Sequence, residues 1–237
     1  MNDAAKSAQA AHEVRVGTRA IVTPKGTTMA VPSAALAAAI AAEWADRPKG
    51  KLDPRTMPLT RVAASALDLV RPQRARVIAE LVAYAETELV CHRADSPARL
   101  VARQDAVWQP LLDWLHARFD APLAITHSVL AHKQPPASLA TLTRALERLD
   151  DFHLAALSLA TTAAGSLVIG LALIDGHIDA GRAFDAAELD ATYQIEEWGE
   201  DPEATARRAE VREDMETATR FVDLLGGSPG GSNGGEP

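Results

Sequence analysis

The chain has 237 residues, a formal net charge of −8 and one cysteine, Cys91. That length can bury a core without covalent staples, a lone cysteine excludes an internal disulfide and suits a reducing compartment, and the acidic balance argues against nucleic acid as a partner, since phosphate backbones call for a concentrated basic surface. Residues 1–12 lack the apolar run of a secretory signal and read as a disordered leader of a cytoplasmic protein, and an excess of Arg (19) over Lys (5) suits a bacterial source.

Residues 13–31 alternate apolar and polar side chains around a Pro24, Lys25, Gly26 turn, which predicts two or three short strands with a hairpin. Pro32 and Ser33 suit the opening of a helix in which Leu36, Ile40 and Trp44 recur every four residues. A stretch rich in Pro, Lys and Gly from Asp46 to Arg55 ends this small unit, 13–55. From 56 to 225 the period is helical. Leu59, Val62, Ala63, Ala66, Leu67 and Val70 form one face before Pro72; Val77, Ile78, Leu81 and Val82 form the next. Ser96 and Pro97 open a helix through Leu100, Val101, Val107, Trp108, Leu111 and Leu115, in which Pro110 predicts a bend or a break. Leu123–Thr126 reads as a short strand and Leu139–Leu149 as a helix. The uncharged run Leu154–Ile174 has the length of a membrane span, but Asp150, Asp151, Asp175 and Asp179 flank it without a Lys/Arg bias or an aromatic belt. Its Ala, Ser, Thr and Gly let neighbouring helices approach, so it is expected as a central helix buried on most sides. Helices over Phe184–Trp198 and Pro202–Leu225 follow, and residues 226–237, GGSPGGSNGGEP, lack the apolar residues needed to fold and read as a disordered tail. The expected fold class is α+β: a small β-rich N-terminal domain followed by a larger all-α helical domain.

The segment Leu189–Pro202, LDATYQIEEWGEDP, concentrates acids, a Gln and a Trp at one helix end, a composition that suits recognition rather than chemistry. Phe184, Ala187, Ala191, Gln194, Ile195 and Trp198 share one spacing, which predicts Trp198 packed on the stripe and Asp190 exposed off it. Gly199 offers a helix stop, and Asp201 with Pro202 an N-cap and first turn.

Signals for catalysis are weak. Cys91 and His92 are adjacent in sequence, which does not make them face each other. His127 and His132 are five apart, a poor match for one metal, and no phosphate-binding glycine loop occurs. Glu196 and Glu197 point different ways round a helix. No catalytic residue, cofactor or metal is therefore expected. Two alternatives stay open: an enzyme whose acid or base is Asp190, Glu196 or a His assembled only by folding, and a generic helical interaction module.

The strings TPKGTTMAVPSAALAAAIAAEW, TMPLTR, YAETELVCHRA, ARQDAVWQPLLDW, GSLVIGLAL and YQIEEWGED, in this order, resemble the ATP synthase assembly chaperones that handle the alpha subunit, known in mitochondria as ATP synthase mitochondrial assembly factor 2 and present in alphaproteobacteria. The resemblance spans Val14–Leu225 and implies a non-enzymatic protein, monomeric when free and not inserted in a membrane. It would bind the free alpha subunit and shield its beta-facing surface until the catalytic head assembles, because a transiently exposed interface is prone to aggregate. It further implies that the family's acidic position falls on Asp190 and its Gln, Trp and Gly on Gln194, Trp198 and Gly199; with Glu196 on the same helix, these are the candidate client-binding residues. Ala191 and Thr192 stand where relatives carry two further acids, and His92 and Gln109 where they often have Tyr and Asp.

Overall fold

The N-terminal strands are short because the chain turns before any of them can lengthen. The computed structural model describes residues 11–46, 53–128, 133–199 and 201–228. In it β1 (His12–Glu13), β2 (Arg15–Val16), β3 (Arg19–Ala20) and β4 (Ala30–Val31) form two antiparallel pairs, with His12 opposite Val31 and Arg15 opposite Ala20. Val14 joins the pairs: its N–H donates to the Met29 carbonyl (2.8 Å) and its carbonyl accepts from Ile21 (3.0 Å). All three of these side chains are buried, so the hairpins share one apolar face. The turn falls where it is expected, and Gly26 adopts a φ of +84° there.

Ser33 accepts from the Leu36 N–H (3.0 Å) and caps α1 (Ala34–Asp46). Leu36 and Ile40 are fully buried and Trp44 packs against the same core. Beside Trp44, the Glu43 carboxylate accepts from the N–H groups of Leu59 and Thr60, both at 2.8 Å, at the start of α2 (Pro58–Ser65). A carboxylate there satisfies orphan donors and favours the positive end of the helix dipole. The chain continues through a π-helical turn, 66–70, and a 3₁₀ turn, 71–73, into α3 (Arg74–Glu86). All six apolar residues read from the spacing between Leu59 and Val70 are buried. Asp68 of the π-helical turn reaches the hairpin, accepting from Thr23 Oγ1 (2.7 Å) and the Lys25 N–H (3.1 Å).

α4 (Ala98–Phe119) runs through Pro110, and the expected break does not occur. The helix ends instead at Asp120, which takes a left-handed φ of 54°. Leu123–Thr126 is not a strand; a single parallel bridge joins Thr126 to His92, and α5 (Pro136–Glu147) follows. The uncharged run is not one helix but two, α6 (Asp151–Ala164) and α7 (Leu167–Ile174). Gly165 closes the first with a φ of +64°, and Ser166 caps the second by accepting from the Ile169 N–H (3.0 Å). Every residue of α7 is buried, as expected of a central element. Among the described residues no helix is long and apolar enough to cross a membrane.

The segment expected as a helix from Phe184 to Trp198 is likewise divided, into α8 (Ala180–Ala187) and α9 (Leu189–Trp198), and Asp201 caps α10 (Pro202–Leu225) with Pro202 in its first turn. Gly226 and Gly227 close α10, their N–H groups donating to Asp223 and Val222 (both 3.1 Å). The first residues of the expected tail are thus ordered. Buried apolar residues from Val14 to Val222 belong to one contiguous core. The leader through residue 10, the linker residues 47–52, His132 and the tail from 229 onward lie outside the described residues.

Candidate functional site

The break at Glu188 decides which face α9 presents. Glu188 is 5 % exposed and its carboxylate accepts from Arg207 (2.9 Å) and Arg208 (3.1 Å) of α10, which holds the junction of α8 and α9 against that helix. The helical phase restarts there, so the buried residues of α9 are Leu189 and Tyr193 rather than the stripe extrapolated from Phe184. Trp198, expected on that stripe, is 79 % exposed, and Gln194 is exposed as well. A periodicity read across a helix break no longer tracks the buried face.

Asp190, Tyr193, Gln194 and Trp198 line one wall of a cleft of about 560 Å³; the opposite wall is the segment His92–Pro97, with Leu100 and Gln104 of α4 between them. Gln104 is buried and holds both walls. Its Oε1 accepts from the Ala94 N–H (2.8 Å) and its Nε2 donates to Asp190 Oδ1 (2.8 Å). Asp190 is therefore half-buried and fixed, not free on the surface as expected. Arg93, also buried, donates to Asp105 Oδ1 (2.8 Å) and the Val90 carbonyl (2.9 Å) and lies 5.5 Å from the centre of the Trp108 ring. Burial lowers its guanidinium pKa, opposed by the Asp105 charge. At the mouth, His127 Nδ1 approaches Asp95 to 3.2 Å.

The other two candidates lie apart from the cleft lining. Glu196 faces α4, accepting from Arg103 (2.9 Å) and Arg99 (3.2 Å), while Glu197 pairs with Arg99 (3.2 Å), so the acids that dominate this segment by composition are compensated. Gly199 ends α9 with a φ of +90°, its N–H donating to Ile195 (2.9 Å). The structure thus brings Asp190, Gln194 and Trp198 together and leaves Glu196 and Gly199 as supports of the helix that carries them.

Behind the His92–Pro97 wall sits Glu88, fully buried, whose carboxylate accepts from Ser166 Oγ and from the N–H groups of Leu167 (3.1 Å) and Val168 (3.2 Å) at the start of α7. Burial pushes this carboxyl up to about 7, against hydrogen bonds that favour the anion. The Cys91 thiol is pushed up to about 12, chiefly by burial, so it is no nucleophile near neutrality. Gln104, Arg93, Glu88 and Glu188 escape the reading by spacing. A polar residue inside an apolar helical period, as Gln104 is between Leu100 and Trp108, is the one signal that pointed to any of them. Among the described residues no group of three or more His, Cys, Asp or Glu side chains is placed to hold a metal ion.

Comparison with known proteins gives four consistent findings. A family model described as the ATP12 chaperone protein matches residues 2–116. The crystal structure of Atp12 from Paracoccus denitrificans is similar with a TM-score of 0.84 and 40 % identity, over 91 % of this chain and 95 % of that one. A single-residue variant of the same Paracoccus protein gives a TM-score of 0.83 and 42 % identity over 87 % and 88 % of the two chains. Protein atp12, mitochondrial, of Schizosaccharomyces pombe is 21 % identical over 197 residues, covering 78 % of this chain and 68 % of that protein.

Proposed function

The chain belongs to the ATP12 chaperone family, and we propose that it serves assembly of the ATP synthase catalytic head by binding the free alpha subunit at the Asp190–Trp198 cleft and shielding the surface that will meet the beta subunit. The observation that carries this reading is Trp198. An indole 79 % exposed, lining a cleft together with the buried Gln104 and the half-buried Asp190, offers apolar area that none of the described residues covers. Trp is enriched among residues that dominate binding energy, and such anchors work next to polar groups held in position. The half-buried Asp190 supplies one such group, since its carboxylate is oriented by Gln104 before any client arrives. Binding of this kind needs no catalytic residue and no cofactor, and the reading is of a monomeric holding protein.

Light scattering of isolated alpha subunit tests it. Stoichiometric amounts of the chaperone should suppress aggregation without nucleotide, and Trp198→Ala, still folded, should lose most of that protection. Aggregation that proceeds unchanged, or suppression that needs ATP, would sink the proposal.

A further inference from the structure

On a different face, α5 meets the end of α4 and the end of α7 around a pocket of about 330 Å³. Its rim carries three guanidiniums, Arg118, Arg144 and Arg148, against a single carboxylate, Asp175. Asp175 is engaged by Arg118 (3.0 and 3.2 Å). Among the described residues the Arg144 guanidinium donates only to the Thr141 hydroxyl (2.8 Å), and the Arg148 guanidinium has no hydrogen-bond or ion-pair partner, its backbone N–H alone donating to Ala145 (3.2 Å). Two positive charges four residues apart, Arg144 in α5 and Arg148 at its C-cap, thus stand without an ion-pair partner among the described residues of a protein of net charge −8. Like charges four apart on a helix repel and cost stability unless an anion comes between them. The floor is apolar: Leu171 and Ile174 are buried, and Phe119 and Leu149 flank them, with Arg118 already 5.2 Å from the centre of the Phe119 ring.

We propose that this pocket is a second binding site, for a small phosphomonoester carried on a planar or apolar body. Charge decides the anion. Two free guanidiniums match a phosphomonoester, which bears about −1.5 to −2 near neutral pH, better than one carboxylate, and Arg forms paired hydrogen bonds to phosphate oxygens. The volume and the apolar floor decide the body, because a bare inorganic anion would leave Leu171, Ile174 and Phe119 uncovered.

Titration calorimetry of the whole protein with phenyl phosphate is the test, with inorganic phosphate and phenol as the two halves of the probe. Saturable one-to-one binding is expected, weakened about tenfold or more by Arg144→Ala and by Arg148→Ala, with each half binding at least about tenfold more weakly than the whole. Both arginines are exposed, so the variants should keep the parent melting temperature. Should either variant fail to fold, nuclear magnetic resonance of the parent protein decides instead: phenyl phosphate should shift the Arg144 and Arg148 guanidinium signals and leave that of Arg55 in place. No saturation with phenyl phosphate, binding unchanged in the double variant, inorganic phosphate bound as tightly as phenyl phosphate, or unmoved Arg144 and Arg148 signals would each overturn the assignment. None of these outcomes depends on the chaperone cleft.

Discussion

Asp190 anchors Gln104 and, in the proposed function, also meets the client, and substitutions can separate the two. Asp190→Lys removes the acceptor for the buried Gln104 amide, so it should cost about 1–2 kcal/mol of stability as well as weaken client capture. Asp190→Asn keeps an oxygen for Gln104 and removes only the charge; denaturant unfolding should find it near the parent, so a loss of alpha-subunit capture in this variant would isolate the role of the charge. Trp198 is the converse case. With its ring exposed, Trp198→Ala should change stability by no more than about 0.5 kcal/mol, a result that melting curves read directly, while aggregation assays show reduced protection. Glu88 should contribute a pH dependence of its own. Its folded pKa, about 7, lies above the ordinary 4.5, so the folded state binds the extra proton between those values. Its contribution to stability is therefore full below pH 4.5 and is lost as pH rises through 7. Unfolding curves from pH 5 to 8 should show that decline, and Glu88→Gln should flatten it; an unchanged slope in the variant would assign the titration to other groups.

At the scale of elements, the fold depends on how closely α6 and α7 approach. A Cβ built on Gly170 would lie 2.5 Å from Thr161 Oγ1 and 3.1 Å from the Thr161 backbone nitrogen, and the backbone cannot turn aside as a flexible side chain could. Gly170→Ala should accordingly destabilise the protein by about 1–3 kcal/mol through overpacking, measurable as a lowered denaturation midpoint with an unchanged slope. The uncharged run of membrane-span length is divided into two helices by groups at the junction itself. Ser166 caps α7, Glu88 supplies its first N–H groups with an acceptor, and Gly165 lets the chain turn between the two helices. Spacing alone revealed the stripes of α2 and α3, since a uniform helix repeats one face from end to end. It failed at Gly165 and Glu188, where the phase is reset.

For the molecule as a whole, one core joins the hairpins to the helices, with Asp68 a polar tie from the helical part to the hairpin and Glu43 one from α1 to α2. Truncation after Ser228 should leave the unfolding free energy within about 0.5 kcal/mol of the parent, because residues 229–237 contain no apolar side chain to bury. Removing Gly226 and Gly227 as well should lower it, since they satisfy the last carbonyls of α10. Calorimetric melting of the two truncations compares them. Composition and local period by themselves determined the α+β class, the order of most helices, the Pro24–Gly26 turn and the limits of α10, because each depends on residues within a turn or two of one another. Only the tertiary structure decided that Asp190 is anchored by a Gln 86 residues away, that Glu196 is compensated by arginines of α4, and that Trp198 is exposed. Those facts depend on which helix faces meet and where the helical phase restarts, and such long-range packing leaves no fixed spacing along the chain.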